Sequence, residues 1–334
     1  ARQASSGDFA GYTFEAGTES VYDDFGNGLA VLNSDSLSFI NEQGAEELSV
    51  QLQYATPALS VSGDNLLAYD RSGRGLCLTN RYTAMWQTEL ESDIISASVN
   101  NNGAFSVVTD EQGYRAAVTV YDNRQREQFK WNTSEYYIAL SCVAPDSHHV
   151  AVLCLQESGG KRAAQIRVFS TSQEEALFDI ALGGMTVYSM EYYKNDTLAV
   201  VTDQGVFFYD GNGQQTGAYP YTKGSLVTFS HKMGQLPCIA LETGDREQRA
   251  QVVVVGEDGS AVFDQTYATT VRSLSTSGDH IAVLLRDQVV HTSTFAGAPV
   301  QTAQEVNARD VIQRSDGSVI LIYAERAEMV EFDE

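Results

Sequence analysis

Basic residues, cysteine and proline are all scarce in this chain, and each scarcity removes a class of protein. Only 21 Lys and Arg stand against 44 Asp and Glu, a formal net charge of −23 at pH 7. A field of that sign repels nucleic-acid phosphates and anionic membrane surfaces, which excludes both as partners. It suits a soluble unit that self-repulsion keeps monomeric. Four cysteines in 334 residues are too few for a disulfide framework. No apolar run approaches the roughly eighteen residues of a membrane span, and the longest, 149–155 and 251–255, are strand-sized. Five prolines and no low-complexity tract leave no linker, so residues 1–334 read as one domain. The chain begins ARQASSGDF without Met, and a signal peptide or anchor helix is expected ahead of it.

Glycine, by contrast, is plentiful, and the stretch 94–134 shows what it punctuates. Runs rich in Val, Phe, Tyr and Thr occupy 95–99, 105–109, 117–121 and 128–132, separated by Asn100-Asn101-Asn102-Gly103, by 110–115 and by 122–126. β-Branched and aromatic runs bounded by Gly, Asn and Asp predict strands joined by turns. Four such strands make one antiparallel meander. A meander alone leaves a face bare.

Repetition provides the cover. A small residue between two apolar ones, just after a turn, appears as Leu29-Ala30-Val31, Leu67-Ala68-Tyr69, Phe105-Ser106-Val107 and Val150-Ala151-Val152. It returns as Leu198-Ala199-Val200, Ile239-Ala240-Leu241, Ile281-Ala282-Val283 and, less closely, Val319-Ile320-Leu321. The centres step by 38, 38, 45, 48, 41, 42 and 38 residues. A four-stranded unit with that period predicts an all-β fold, an eight-bladed β-propeller. The last unit has strands at 310–313, 319–323 and 328–332 but no fourth, while residues 9–14 (FAGYTF) form a strand to spare. Pairing the two closes the ring and hides two edges. Seven blades with an irregular N-terminal hairpin is the alternative.

Little in the sequence speaks for catalysis. His148, His149, His231, His280 and His291 have no Cys or carboxylate at metal spacing, so neither a metal nor a cofactor is expected. Nucleophile elbow, phosphate loop, dinucleotide fingerprint and sialidase-type Asp-box are all missing. Asp210-Gly211-Asn212-Gly213 begins like a calcium loop but lacks the later ligands, and reads as a tight turn. Cys142 and Cys154 fall on neighbouring strands, with Cys142 expected opposite Val152, so a bridge would need a bulge. Cys77, Cys142, Cys154 and Cys238 all read as buried small apolar residues.

One charge pattern stands out. In such blades the connections between second and third strands share a face with the connections between blades. Three of them, 110–115, 156–162 and 243–249, are long, and they carry Arg115, Lys161, Arg162, Arg246 and Arg249. Five cations on one face of an acidic body form a candidate surface for a protein's carboxylates or an acidic polymer.

Ala144-Pro145-Asp146 followed by His149-Val150-Ala151-Val152 is similar to the turn-and-strand pattern of WD-repeat propellers. Val120-Tyr121-Asp122 with Phe129-Lys130-Trp131 resembles the end of a quinoprotein-like blade. The runs 32–37 and 68–73 resemble an uncharacterised family of Gram-positive bacterial proteins, in which a propeller follows one N-terminal membrane anchor. The resemblance implies an extracytoplasmic, anchored propeller at the cell surface. With only two Trp, it does not carry over quinone chemistry. Three readings follow: a non-enzymatic binder of a protein or anionic cell-envelope polymer, a glycan-active enzyme with channel carboxylates, and an envelope assembly scaffold.

Overall fold

The computed structural model describes residues 11–13, 20–244 and 248–332. Regular structure among them is all strand, in eight four-stranded antiparallel sheets. Seven of the sheets are meanders whose strands run, in chain order, from inner through second and third to outer. Blade three is Ile94–Val99, Phe105–Thr109, Ala116–Tyr121 and Glu127–Thr133, within a residue of the expected runs at every end. The other blades are one (21–51), two (57–89), four (137–183), five (187–220), six (225–267), seven (271–304) and eight (310–329). Eight sheets displace the seven-blade alternative.

The ring closes inside blade eight. Its strands Asp310–Gln313, Val319–Ile322 and Arg326–Met329 are completed by Tyr12–Thr13, with Tyr12 opposite Ala327 and Thr13 opposite Arg326. Residues 9, 10 and 14 of the expected strand lie outside the described residues. The third strand starts two residues earlier than the expected 328, because Tyr323 N–H donates to Arg326 C=O (2.8 Å) and turns the chain at once.

The core is divided rather than central. Eight clusters of buried apolar residues lie one at each joint between neighbouring blades, the last of them between blades eight and one. The period-2 alternation of strands sends successive side chains to opposite joints. On the second strands of blades one, four, five, six and seven, the small residue (Ala30, Ala151, Ala199, Ala240, Ala282) faces the following blade. Ser106 does the same in blade three, taking a 2.8 Å hydrogen bond from Ser141 of blade four. Blade two departs from the expected phase: Ala68 faces blade one, and Leu67 faces blade three.

The inner strands are sheet edges, and hydroxyls of the preceding blade satisfy part of their backbone. Ser60 Oγ accepts from Val99 N–H, Ser230 Oγ from Thr276 N–H and Ser275 Oγ from Gln313 N–H, at 2.9–3.1 Å. A buried N–H left unpaired would cost about as much as a lost hydrogen bond, so these serines hold the joints in register.

All four cysteines are buried and unbridged. Val143 pairs with Val150, which sets Cys142 opposite Ala151 rather than Val152. Cys142 faces blade five while Cys154 faces blade three, so their sulfurs lie on opposite sides of the sheet.

Two outcomes follow. Ala240→Leu overpacks the joint against Val271, Leu274 and Ile281, and is expected to lower the stability measured by urea unfolding by about 1–3 kcal/mol. A chain starting after Thr13 bares the Arg326–Met329 edge. It is expected to melt at lower temperature and to show dimers or larger species by size-exclusion chromatography.

Candidate functional site

The face that carries the connections between blades holds an open groove between blades four and five. Its wall is built by the longest hairpin of the ring. His149–Ser158 and Lys161–Ser170 pair along their whole length, with Glu157 opposite Arg162 and only Gly159-Gly160 turning between them. Both glycines have positive φ (59° and 75°), which a two-residue hairpin turn requires and a larger residue would resist. The segment 156–162, expected as a loop, is therefore mostly strand. A cavity of about 360 Å³ opens beside it, lined by Tyr137, Leu153, Leu155, Met185 and Val187, with Gln156, Glu157 and Arg162 among its polar lining.

The apolar lining meets solvent. Tyr137 is 55% exposed and Leu155 38%, and Tyr114 on the adjoining loop is 48% exposed. The Arg115 guanidinium lies 4.9 Å from the centre of the Tyr137 ring, a cation–π contact that holds the charge at the groove. Among the described residues, Arg115, Lys161 and Arg162 make no ion pair. Three of the five expected cations are thus grouped on blades three and four. Arg249 sits two blades away, at the start of blade six's third strand, where its carbonyl accepts from Thr243 N–H. Arg246 lies outside the described residues.

The opposite face is closed at the axis by a feature that the sequence reading missed. Seven residues, 231–237, join Ser225–Ser230 to Cys238–Glu242 where most blades use a shorter turn. This loop crosses the ring. Lys232 Nζ donates to Asp23 Oδ1 of blade one (2.9 Å), Gly234 N–H to the Tyr192 carbonyl of blade five (2.9 Å), and Met233 Sδ lies 3.7 Å from Ser62 Oγ of blade two. The only signals were the length of the segment and its Gly234, whose φ is 73°.

Titratable groups collect around this plug. Ser189 Oγ and His231 Nδ1 are 2.9 Å apart, and burial lowers His231 to about 3, so the ring stays neutral. Glu191, two residues further on the same side of the strand, is raised by burial to about 8. Burial likewise raises Asp24 to about 6 against the pull of Lys232. Asp23 and Asp24 are two carboxylates at a channel mouth, the feature that the glycan-active reading asked for. Asp23, however, is engaged by Lys232. No group of three His, Cys, Asp or Glu suited to a metal occurs among the described residues, and no described helix is long and apolar enough to cross a membrane.

Fold and surfaces define an eight-bladed propeller with an open apolar–cationic groove on one face and a plugged axis on the other. The chain matches a family of unknown function, DUF5711, over residues 9–332, and belongs to it. No curated protein matches it. Among solved structures it is similar to the C-terminal WD40 domain of Sif2, with 12% identity, a TM-score of 0.65 and 98% of each chain covered. It is also similar to the β-propeller domain of Cps50 (Swd1) from Myceliophteria thermophila, with 10% identity, a TM-score of 0.51, and 83% of this chain and 96% of that one covered. At these identities the likeness is one of fold.

The shift of Glu191 has a measurable sign. Unfolded, it ionises near 4.5; folded, it keeps its proton to about 8. The folded state therefore binds more protons across that window, and this contribution to stability is lost as pH rises through it. Glu191→Gln keeps the neutral form at all pH values. Its melting temperature relative to wild type is expected to climb between pH 5 and pH 8.5; a constant difference would show that Glu191 ionises normally.

Proposed function

We propose that this chain is a non-enzymatic binding propeller whose groove between blades four and five receives an acidic segment of a protein partner. The observation that carries the reading is the Arg115–Tyr137 stack beside exposed Leu155, with Lys161 and Arg162 at the same hairpin. Tyr and Arg at the rim of an apolar depression are the residue types that dominate binding hot spots, because they combine large contact area with directed hydrogen bonds. An exposed apolar patch on a charged body marks an interaction surface. The fold likeness to WD40 propellers supports the coarser part, a rigid scaffold for protein interaction. In the same reading the propeller acts outside the cell membrane, held by an anchor ahead of this chain; the sequence resemblance supports that location.

The test compares wild type with Arg115→Glu/Lys161→Glu/Arg162→Glu and, separately, Leu155→Asp. Each is titrated by fluorescence anisotropy with a display-selected set of acidic, aromatic-containing peptides. Wild type is expected to select such peptides, with affinity falling as salt is raised. Both variants are expected to lose at least tenfold, about 1.4 kcal/mol at 25 °C. Equal binding by all three proteins overturns the groove as the site. Preference for a polyphosphate chain over every peptide replaces the protein partner with an anionic polymer.

A further inference from the structure

We propose that the plugged mouth of the channel is a binding site for a small zwitterion carrying a primary ammonium and a carboxylate. This site lies on the face opposite the groove and does not depend on the function proposed there. The plug leaves a polar cavity of about 380 Å³ between the first turns of blades one, two, six, seven and eight. That volume lies within the range of small-molecule pockets.

One side of the cavity asks for hydrogen-bond donors. Asp24 Oδ1 and Gln235 Oε1 are both buried and accept no hydrogen bond from the described residues. Asp24 Oδ2 takes the Ser277 hydroxyl at 3.2 Å, and the nearby Lys232 ammonium directs its hydrogen bond to Asp23 while lending Asp24 only its field. A buried acceptor without a donor costs free energy, and an ammonium satisfies two acceptors at once while neutralising the carboxylate.

The other side offers positive charge. Arg81 reaches in from the third-to-outer turn of blade two, and its partners are loose: Asp64 at 3.8 Å and the Gly26 carbonyl at 3.3 Å. A planar guanidinium so placed can take a carboxylate through two parallel N–H donors. Gly26 is shaped for it: a Cβ there would stand 2.1 Å from Arg81 Cδ, so the arginine lies across a position that only glycine leaves open. Behind the rim, the Arg314 side chain is fully buried, with Nε and Nη1 lacking acceptors among the described residues. Arg314 thus adds positive potential to the same end of the channel. A cation alone would leave Arg81 without its partner, and an anion alone would face Asp24. A molecule with both poles answers both.

The experiment is isothermal titration of the whole chain with each of the twenty L-amino acids and γ-aminobutyrate. Putrescine and succinate serve as single-pole controls. At least one zwitterion is expected to bind, with both controls at least tenfold weaker. Asp24→Asn and Arg81→Gln are each expected to weaken that zwitterion at least tenfold while keeping the wild-type circular dichroism spectrum. Arg81 is partly exposed, so its variant keeps the test decisive if Asp24→Asn disturbs folding. Absence of binding by every zwitterion overturns the proposal, as does binding that both variants retain. Equal binding of putrescine overturns the carboxylate half and leaves a cation site.

Discussion

No blade of this ring can cover its own two faces, and the architecture follows from that constraint. Every apolar cluster is shared by two blades, so each joint exists only while its neighbours hold. Inside blade eight, Tyr12–Thr13 joins Arg326–Met329 by strand pairing rather than through a turn. Among the described residues the outer seam there comprises the pairs Tyr12–Ala327 and Thr13–Arg326. The inner side is reinforced where blade eight meets blade one: Arg314 Nη2 donates to the Asn27 carbonyl and to Asp316 Oδ2, and Ser315 Oγ donates to Asn27 Oδ1. Burying a guanidinium is costly unless it is paired, so Arg314 holds that joint in a single geometry.

A closed ring fixes where variation is tolerated. Second-strand small residues and inner-strand serines are constrained by the next blade, whereas the length of a turn at either end of a strand is not. Both candidate sites are departures from the repeat at such ends. The groove exists because the second and third strands of blade four run past their neighbours, and the plug because one first turn of blade six is long. Side chains placed there inherit the rigidity of the sheet beneath them, which reduces the ordering cost of binding.

Much of this was legible in the chain itself. Alternation and glycine-bounded turns gave the strands, and the 38–48-residue step gave eight blades, because each unit must present the same faces to its neighbours. The long hairpin stretched the step from Ala151 to Ala199 to 48 residues and was visible for that reason. The plug was not, because the short turns of blade five offset it and left an ordinary step of 41 residues from Ala199 to Ala240. Blade two shows the limit of reading by residue size: Ala68 looks like its counterparts, but which joint a side chain faces depends on where the turn before it closes. Lys232 and Asp23 lie 209 residues apart, and only ring geometry brings them together.

Several surface cations are locally neutralised: Arg74 by Asp93, Arg126 by Asp122, Lys194 by Glu257, Arg326 by Glu328. Arg115, Lys161 and Arg162 make no ion pair among the described residues and stand beside an apolar groove, and Arg81 is only loosely held above a cavity. The two places differ in one physical respect. Charges at the open groove act through water and are screened over about 8 Å at physiological ionic strength, so they steer encounter more than they hold a partner. Asp24, Lys232 and Arg314 sit where little water screens them, and there charge complementarity acts at short range and selects among ligands.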